Sequence, residues 1–289
     1  MNEVRVKTPA KINLTLNING VSGGKHLIDS VVTSIDLFDV INVKKRKDGL
    51  VGCVMHGMNS ESIPFKSNNA VKAAEMFVEK IGVCGVDITV WKNIPVGAGL
   101  GGSSADAAGV LNALTRLFDA DREDVYEIAD KAGSDVRYMM DGGYARIKGY
   151  GEKVEPIDSR MKLYFTLIVP QSGVSTGECY SRYDDNPDGR RTNSDRAQKA
   201  LEDGDFEKLS KSIYNALYAP ARLINPDVEQ ALYEAYSFDP PAAAMTGSGG
   251  AVYAAFDNDS MSKWMQSRYR GKFFAFTAKT YIPKIRQEK

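Results

Sequence analysis

The residues best suited to chemistry lie in one run, Pro95-Val96-Gly97-Ala98-Gly99-Leu100-Gly101-Gly102-Ser103-Ser104-Ala105-Asp106. Its four glycines let the backbone take positive φ and approach a ligand without Cβ clashes. Successive amides in such a turn point into one concavity, and a helix opening near Ser104 adds its positive end. Polyphosphate is the natural occupant. Ser103 and Ser104 stand where a hydroxyl either contacts phosphate oxygens or Mg²⁺ or merely caps the helix. Lys11 and Asn13 sit two apart on one face of a strand, roughly 7 Å apart at Cα, so an ammonium and an amide emerge together. Asp135 follows a helix stop at Gly133, where its carboxylate is either a functional group or a polar helix-end cap.

Three phosphate-binding patterns compete for the glycine run. A P-loop needs G-x-x-x-x-G-K-[ST], and no lysine follows the last glycine here; the nearest imitation, Asn19 to His26, fails at both ends. Gly97, Gly99 and Gly102 match the dinucleotide pattern G-x-G-x-x-G. That pattern, however, needs a second strand ending in an acidic residue about twenty positions on, and the sequence runs into a second helical segment instead. The third pattern, P-x-x-x-G-L-G-x-S-S-A, is met by Pro95, Gly99, Leu100, Gly101, Ser103, Ser104 and Ala105, and it resembles the glycine-serine loop of the GHMP kinases.

Two further segments extend that resemblance. Thr8-Pro9-Ala10-Lys11-Ile12-Asn13-Leu14 is similar to the P-A-K-[IV]-N-L opening of the superfamily's isoprenoid branch, and Ala243-Ala244-Met245-Thr246-Gly247-Ser248-Gly249-Gly250 is similar to its third motif. The resemblance implies an α+β, two-domain GHMP kinase architecture. Residues 1–158 would form a domain like the second domain of ribosomal protein S5, and 159–289 a ferredoxin-like domain. It implies ATP and Mg²⁺ as cofactors, with Ser104 touching the metal and Val96, Gly97, Ala98 and their neighbours from Pro95 to Ala105 around the phosphates. It places Asn69 and Lys92 near the base and pairs Lys11 with Asp135 at the acceptor hydroxyl, the aspartate acting either as base or as orienting group. On the acceptor side it places Asn13, Lys25, His26, Ser175, Thr176, Tyr180, Gly247, Ser248 and Gly249. The implied reaction is phosphorylation of the 2-hydroxyl of 4-diphosphocytidyl-2-C-methyl-D-erythritol in isoprenoid-precursor synthesis. The alternatives are a GHMP kinase for another small alcohol and a non-catalytic sensor of nucleotide or sugar.

The sequence departs from the family at three places. Gly24-Lys25-His26 stands where Gly-Tyr-His is expected, so a lysine replaces a ring that would stack on cytosine. Arg137 replaces a proline, and Asn215-Ala216 replaces an Asn-Asp pair. If Lys25 and Arg137 read an anionic group, the acceptor differs.

Several elements must position these residues. Lys11–Asn19 alternates strictly, with Ile12, Leu14, Leu16 and Ile18 on one face, and predicts a half-buried strand. Further strands are expected at 31–37, 40–44, 86–91, 144–147, 164–169, 251–256 and 273–280. Apolar spacing predicts helices over 69–80, 104–118, 123–132, 206–218, 227–236 and 260–267, with Asp205 capping the fourth. Arg182–Arg196, polar and turn-rich, predicts a surface loop.

Lys+Arg and Asp+Glu number 37 each among 289 residues, a balance that argues against a dedicated nucleic-acid binder. Cys53, Cys84 and Cys179 show no metal-type spacing. Neither a signal peptide nor a membrane-length apolar run is visible, so a cytoplasmic protein acting on a small molecule is expected, with oligomeric state left open.

Overall fold

The computed structural model describes residues 1–57, 63–187 and 193–283. They gather into two compact units. One comprises Met1–Ala10, Leu37–Val96 and Gly101–Gly142; the other comprises Lys11–Asp36, Gly97–Leu100 and Gly143–Lys289. The chain opens with strands β1 (Glu3–Asn13), β2 (Thr15–Ser22) and β3 (Lys25–Lys45). The single strand expected over Lys11–Asn19 is thus divided at Leu14, and it is not half-buried. Lys11, Asn13, Thr15 and Asn17 are all buried, because their polar groups find partners within the fold. The expected break between residues 37 and 40 is absent: β3 continues through it, held by different partners at its two ends.

In the first unit, β4 (Val51–Gly57) leads through α1 (Asn69–Ile81) to β5 (Val86–Lys92), which pairs parallel with β4 and antiparallel with Val40–Lys45. Helix α1 buries Ala70, Val71, Ala73, Ala74 and Phe77, the stripe expected of an amphipathic helix. The Asn68 side chain accepts from the Ala70 amide at its start, and Gly82 ends it in the left-handed region. Helix α2 (Gly102–Phe118) packs on α1, α3 (Arg122–Ala132) and α4 (Val136–Asp141). Its first half is rich in alanine and glycine, which brings it close to its neighbours. Thr8 Oγ1 donates to the Ala105 carbonyl at 2.8 Å.

In the second unit, Asn17 and Ile18 of β2 pair with Asp29 and Ile28 of β3, and β3 pairs on its other side with β6 (Ala145–Gly149), which pairs with β7 (Lys153–Pro156). From β8 (Tyr164–Val169) the chain forms α5 (Thr176–Asp185), α6 (Ser194–Asp203) and α7 (Phe206–Ser210). Helices α5 and α6 overturn the loop expected over Arg182–Arg196 at both ends, and 188–192 lie outside the described residues. Next come β9 (Tyr214–Asn215), α8 (Tyr218–Ile224), α9 (Pro226–Tyr236), β10 (Ala242–Met245), β11 (Val252–Phe256), α10 (Asp259–Arg268) and β12 (Phe274–Lys279). The helix expected over 206–218 is therefore broken. Its centre is pulled into β9 by parallel pairing with Thr15 and Leu16, although Asp205 caps α7 as expected. Strands β8, β10, β11 and β12 form an antiparallel sheet in the order β10-β11-β8-β12. With α9 and α10 packed on it, this is the β-α-β-β-α-β arrangement of a ferredoxin-like layer.

Glycine in an exposed helix interior is usually improved by alanine, by about 1 kcal/mol. Gly109 of α2 should respond in the opposite sense. A Cβ there would lie 2.7 Å from Ile41 Cγ1 and 3.3 Å from two Thr8 carbons. Gly109→Ala is expected to lower stability by about 1–2 kcal/mol in urea denaturation; a rise would contradict this packing.

Candidate active site

The glycine run joins β5 to α2. Gly97, Gly99 and Gly101 have φ of 71°, 75° and 74°, a region open chiefly to glycine. Gly102 is the first helical residue, so α2 starts two residues earlier than expected and Gly101 is its N-cap. Neither Ser103 nor Ser104 caps it. The first-turn amides have no intrahelical acceptor, no acidic residue occupies that turn, and the helix dipole adds positive potential there. Ser103 is exposed and its Oγ accepts from Asn69 Nδ2 at 2.8 Å, which joins two residues expected at the nucleotide. The dinucleotide reading fails on the structure, since α2 leads into α3 and not into a strand.

In the second unit the loop lies against the turn of the third motif, backbone to backbone. The Ala251 amide donates to the Ala98 carbonyl at 2.9 Å, and Thr246 Oγ1 lies 3.4 Å from the Gly99 carbonyl. A Cβ on Gly99 would sit 2.1 Å from the Thr246 oxygen, and one on Gly247 2.6 Å from the Gly99 oxygen. Asn215, the retained half of the altered Asn-Asp pair, braces that turn: its Nδ2 donates to the Met245 and Gly247 carbonyls at 2.8 and 2.9 Å. Ser248 Oγ lies 2.8 Å from Thr176 Oγ1, just past the Ser175 cap of α5.

Lys11 is buried, where an exposed strand lysine would have been surface charge. Its backbone amide donates to the Leu100 carbonyl at 3.0 Å, tying β1 to the glycine loop. Its Nζ donates to Asn13 Oδ1, so the two side chains emerge together as their spacing requires. Asn13 Oδ1 also accepts from the Gly247 amide at 3.1 Å. The first and third motifs are thus joined through one amide group.

Lys92 was expected near the base. It is buried, and its ammonium is held by Asp39 and by Asp106 at 2.7 Å, with the Gly102 carbonyl at 3.4 Å. Asp39 also accepts from the Asn93 and Ile94 amides at 2.6 and 2.8 Å. This triad fastens the strand that enters the glycine run to the helix that leaves it. Spacing gave no sign of it, because its acids lie 53 residues before the lysine and 14 after it. Burial alone would lower the Lys92 pKa, but the two carboxylates outweigh burial and raise it. Burial pushes the Asp106 carboxyl up to about 8.

Asp135 directly precedes α4 and caps none of its amides with its side chain. In that same turn, a Cβ on Gly133 would come 4.0 Å from Ser104 Oγ, so the aspartate's turn runs beside the start of α2. Arg137 is engaged by Asp130 at 2.9 Å and lies 4.4 Å above the Tyr126 ring. In the second unit, the His26 ring lies 4.6 Å from that of Tyr180, tilted by 37°, and shares a 2.7 Å hydrogen bond with Asp184. The Lys25 ammonium lies 5.6 Å from the centre of the Tyr150 ring. Among the described residues, no group of three or more His, Cys, Asp or Glu side chains could hold a metal. An ion here would take most of its ligands from phosphate and water.

Comparison with known proteins matches the GHMP kinases N terminal domain over residues 68–145 and the GHMP kinases C terminal domain over residues 197–267. The 4-diphosphocytidyl-2-C-methyl-D-erythritol kinase of Clostridium kluyveri is 35% identical over 259 residues, covering 88% of this chain and 91% of the relative. The corresponding kinase of Alkaliphilus metalliredigens is 32% identical over 91% of both chains. A crystal structure of 4-(cytidine 5'-diphospho)-2C-methyl-D-erythritol kinase aligns with a TM-score of 0.78 and 26% identity, over 96% of this chain and 98% of that one.

Two outcomes are expected from this geometry. Gly99→Ala should weaken binding of a non-hydrolysable ATP analogue by more than about tenfold in calorimetric titration, since the methyl meets a backbone carbonyl and strains φ; unchanged affinity would contradict the packing. Asp106 in the folded protein holds a proton that the unfolded chain has released, so its contribution to stability falls as pH rises from about 4 to about 8. Urea midpoints between pH 5 and pH 8 should therefore drop more in the wild type than in Asp106→Asn; equal changes would contradict that shift.

Proposed function

The chain belongs to the GHMP kinase family, and from that premise we propose that it phosphorylates the 2-hydroxyl of 4-diphosphocytidyl-2-C-methyl-D-erythritol with ATP, within isoprenoid-precursor synthesis. That it is an ATP-dependent kinase follows from the family. The acceptor is taken from the names of its relatives. The observation that carries the site assignment is the joining of Lys11 to the glycine loop through Leu100 and to the third motif through Asn13.

Phosphoryl transfer asks a protein for positioning and charge neutralisation more than for covalent chemistry. In this reading the amides from Gly97 to Ser104 hold the β- and γ-phosphates. Lys11 stabilises negative charge on the transferring group, and Asn13 fixes the lysine. The bond between the β–γ bridging oxygen and γ-phosphorus breaks as the acceptor oxygen bonds to that phosphorus. Asp135 takes the hydroxyl proton late in the process, and ADP departs. Mg²⁺ would neutralise phosphate charge, with the Ser104 hydroxyl as its protein contact.

His26, Tyr180, Thr176, Ser175 and Ser248 form the proposed acceptor side together with Gly247 and Gly249. Lys25, standing where the family places a tyrosine, favours a second reading in which a different small alcohol is phosphorylated. We place the domain boundary near residue 158, and the two family matches fall on either side of it. Among the described residues, no helix is long and apolar enough to cross a membrane. A cytoplasmic location is part of this proposal, in keeping with charged, freely diffusing substrates.

The test is ADP release with Mg-ATP and a panel of alcohols that includes the cytidylyl compound. Turnover of that compound is expected; turnover of other alcohols alone would overturn the acceptor and leave the kinase. Lys11→Ala and Asp135→Asn are each expected to lower kcat by about two orders of magnitude or more, with ATP still bound. Unchanged rates in both would refute the pair.

A further inference from the structure

Ser30 lies in the first third of β3 and is fully buried, at a strand position where an apolar β-branched residue would ordinarily pack best. Its hydroxyl makes two hydrogen bonds whose directions are fixed one from the other. The Thr15 carbonyl can only accept, so Ser30 donates to it. The serine oxygen is then left as an acceptor, and it accepts from Asn13 Nδ2 at 2.8 Å. The Asn13 amide must therefore turn its nitrogen toward Ser30 and its oxygen the other way. On that side Asn13 Oδ1 accepts from Lys11 Nζ and from the Gly247 amide at 3.1 Å, with Thr246 Oγ1 at 3.5 Å. Reversing the amide would set its NH₂ group against an ammonium and a backbone N–H, donor against donor. A backbone carbonyl thus dictates, through two side chains, which face Asn13 shows to Lys11.

We propose that Ser30 is a positioning residue that sets the orientation of the Asn13 amide and, through it, the aim of the Lys11 ammonium. The inference rests on the reading of Lys11 as the group that meets the transferring phosphate. It explains why a hydroxyl occupies a buried strand position that packing alone would give to valine: a side chain unable to accept would strand the Asn13 N–H in the interior.

The test uses the full-length chain, with Lys11→Ala as reference, and measures kcat and KM for Mg-ATP and the acceptor together with thermal melting. Ser30→Ala is expected to lower kcat about tenfold or more while KM for ATP stays within about twofold. Ser30→Thr, which keeps the hydroxyl, should restore kcat to within about threefold of the wild type. Ser30→Cys keeps nearly the same volume but bonds weakly, so it should lose kcat even where the alanine variant proves too unstable to purify. Wild-type kcat in Ser30→Cys, failure of threonine to restore the rate, or a rise in KM for ATP in step with the loss of kcat would each overturn the positioning role. If Lys11→Ala itself keeps the wild-type rate, the reading beneath the inference fails; if it is inactive while Ser30→Cys is fully active, this inference alone fails.

Discussion

Two glycine turns meeting backbone to backbone set the terms for the rest of the protein. Residues 97–100 and 246–250 approach so closely that a single methyl on Gly99 or Gly247 would enter the other's carbonyl oxygen. No side chain can stand between them, so the positions of the loop's amides follow from the course of the main chain. That contact brings the first motif into place as well. Lys11 bonds the loop at Leu100, and Asn13 reaches the second turn at Gly247. Asn215 holds the second turn from behind. Distant segments thus converge through the main-chain bonds of Lys11 to Leu100 and Ala251 to Ala98, with the Asn13 and Asn215 side-chain amides adding bonds to the second turn.

Lys92 and Lys11 are both buried. Lys92 is enclosed by Asp39 and Asp106, and it holds the entry and exit of the glycine run together. Such a buried ion cluster is weak evidence of stability, because desolvation opposes the attraction; its contribution here is geometric. Lys11 is also buried, and its ammonium donates to the carbonyl oxygen of the Asn13 amide.

Much of this was legible in the sequence where a local rule applied. The positive φ at Gly97, Gly99 and Gly101, the helix after them, the strand 164–169 and the Asp205 cap all follow from spacing and residue type. The sequence pattern failed where a distant partner decided. Tyr214 and Asn215 have helical spacing around them, yet they pair with Thr15 and Leu16 as a strand. The polar side of Lys11–Asn17 suggested solvent, yet those groups bond Ser30, Thr246 and Ser194 inside the fold. The acids that hold Lys92 lie on other elements, where spacing does not show them. Asp39, Asp106 and Ser30 were invisible as site residues because each matters only through the group it touches.

The central claim is that the amides from Gly97 to Ser104 hold a polyphosphate tail and direct its end toward Lys11. A crystal structure with a non-hydrolysable ATP analogue tests it most directly. The account predicts the β-phosphate oxygens within hydrogen-bonding distance of those amides and the terminal phosphate turned to Lys11 Nζ. A tail bound elsewhere, or terminal phosphate oxygens pointing away from Lys11, would contradict it.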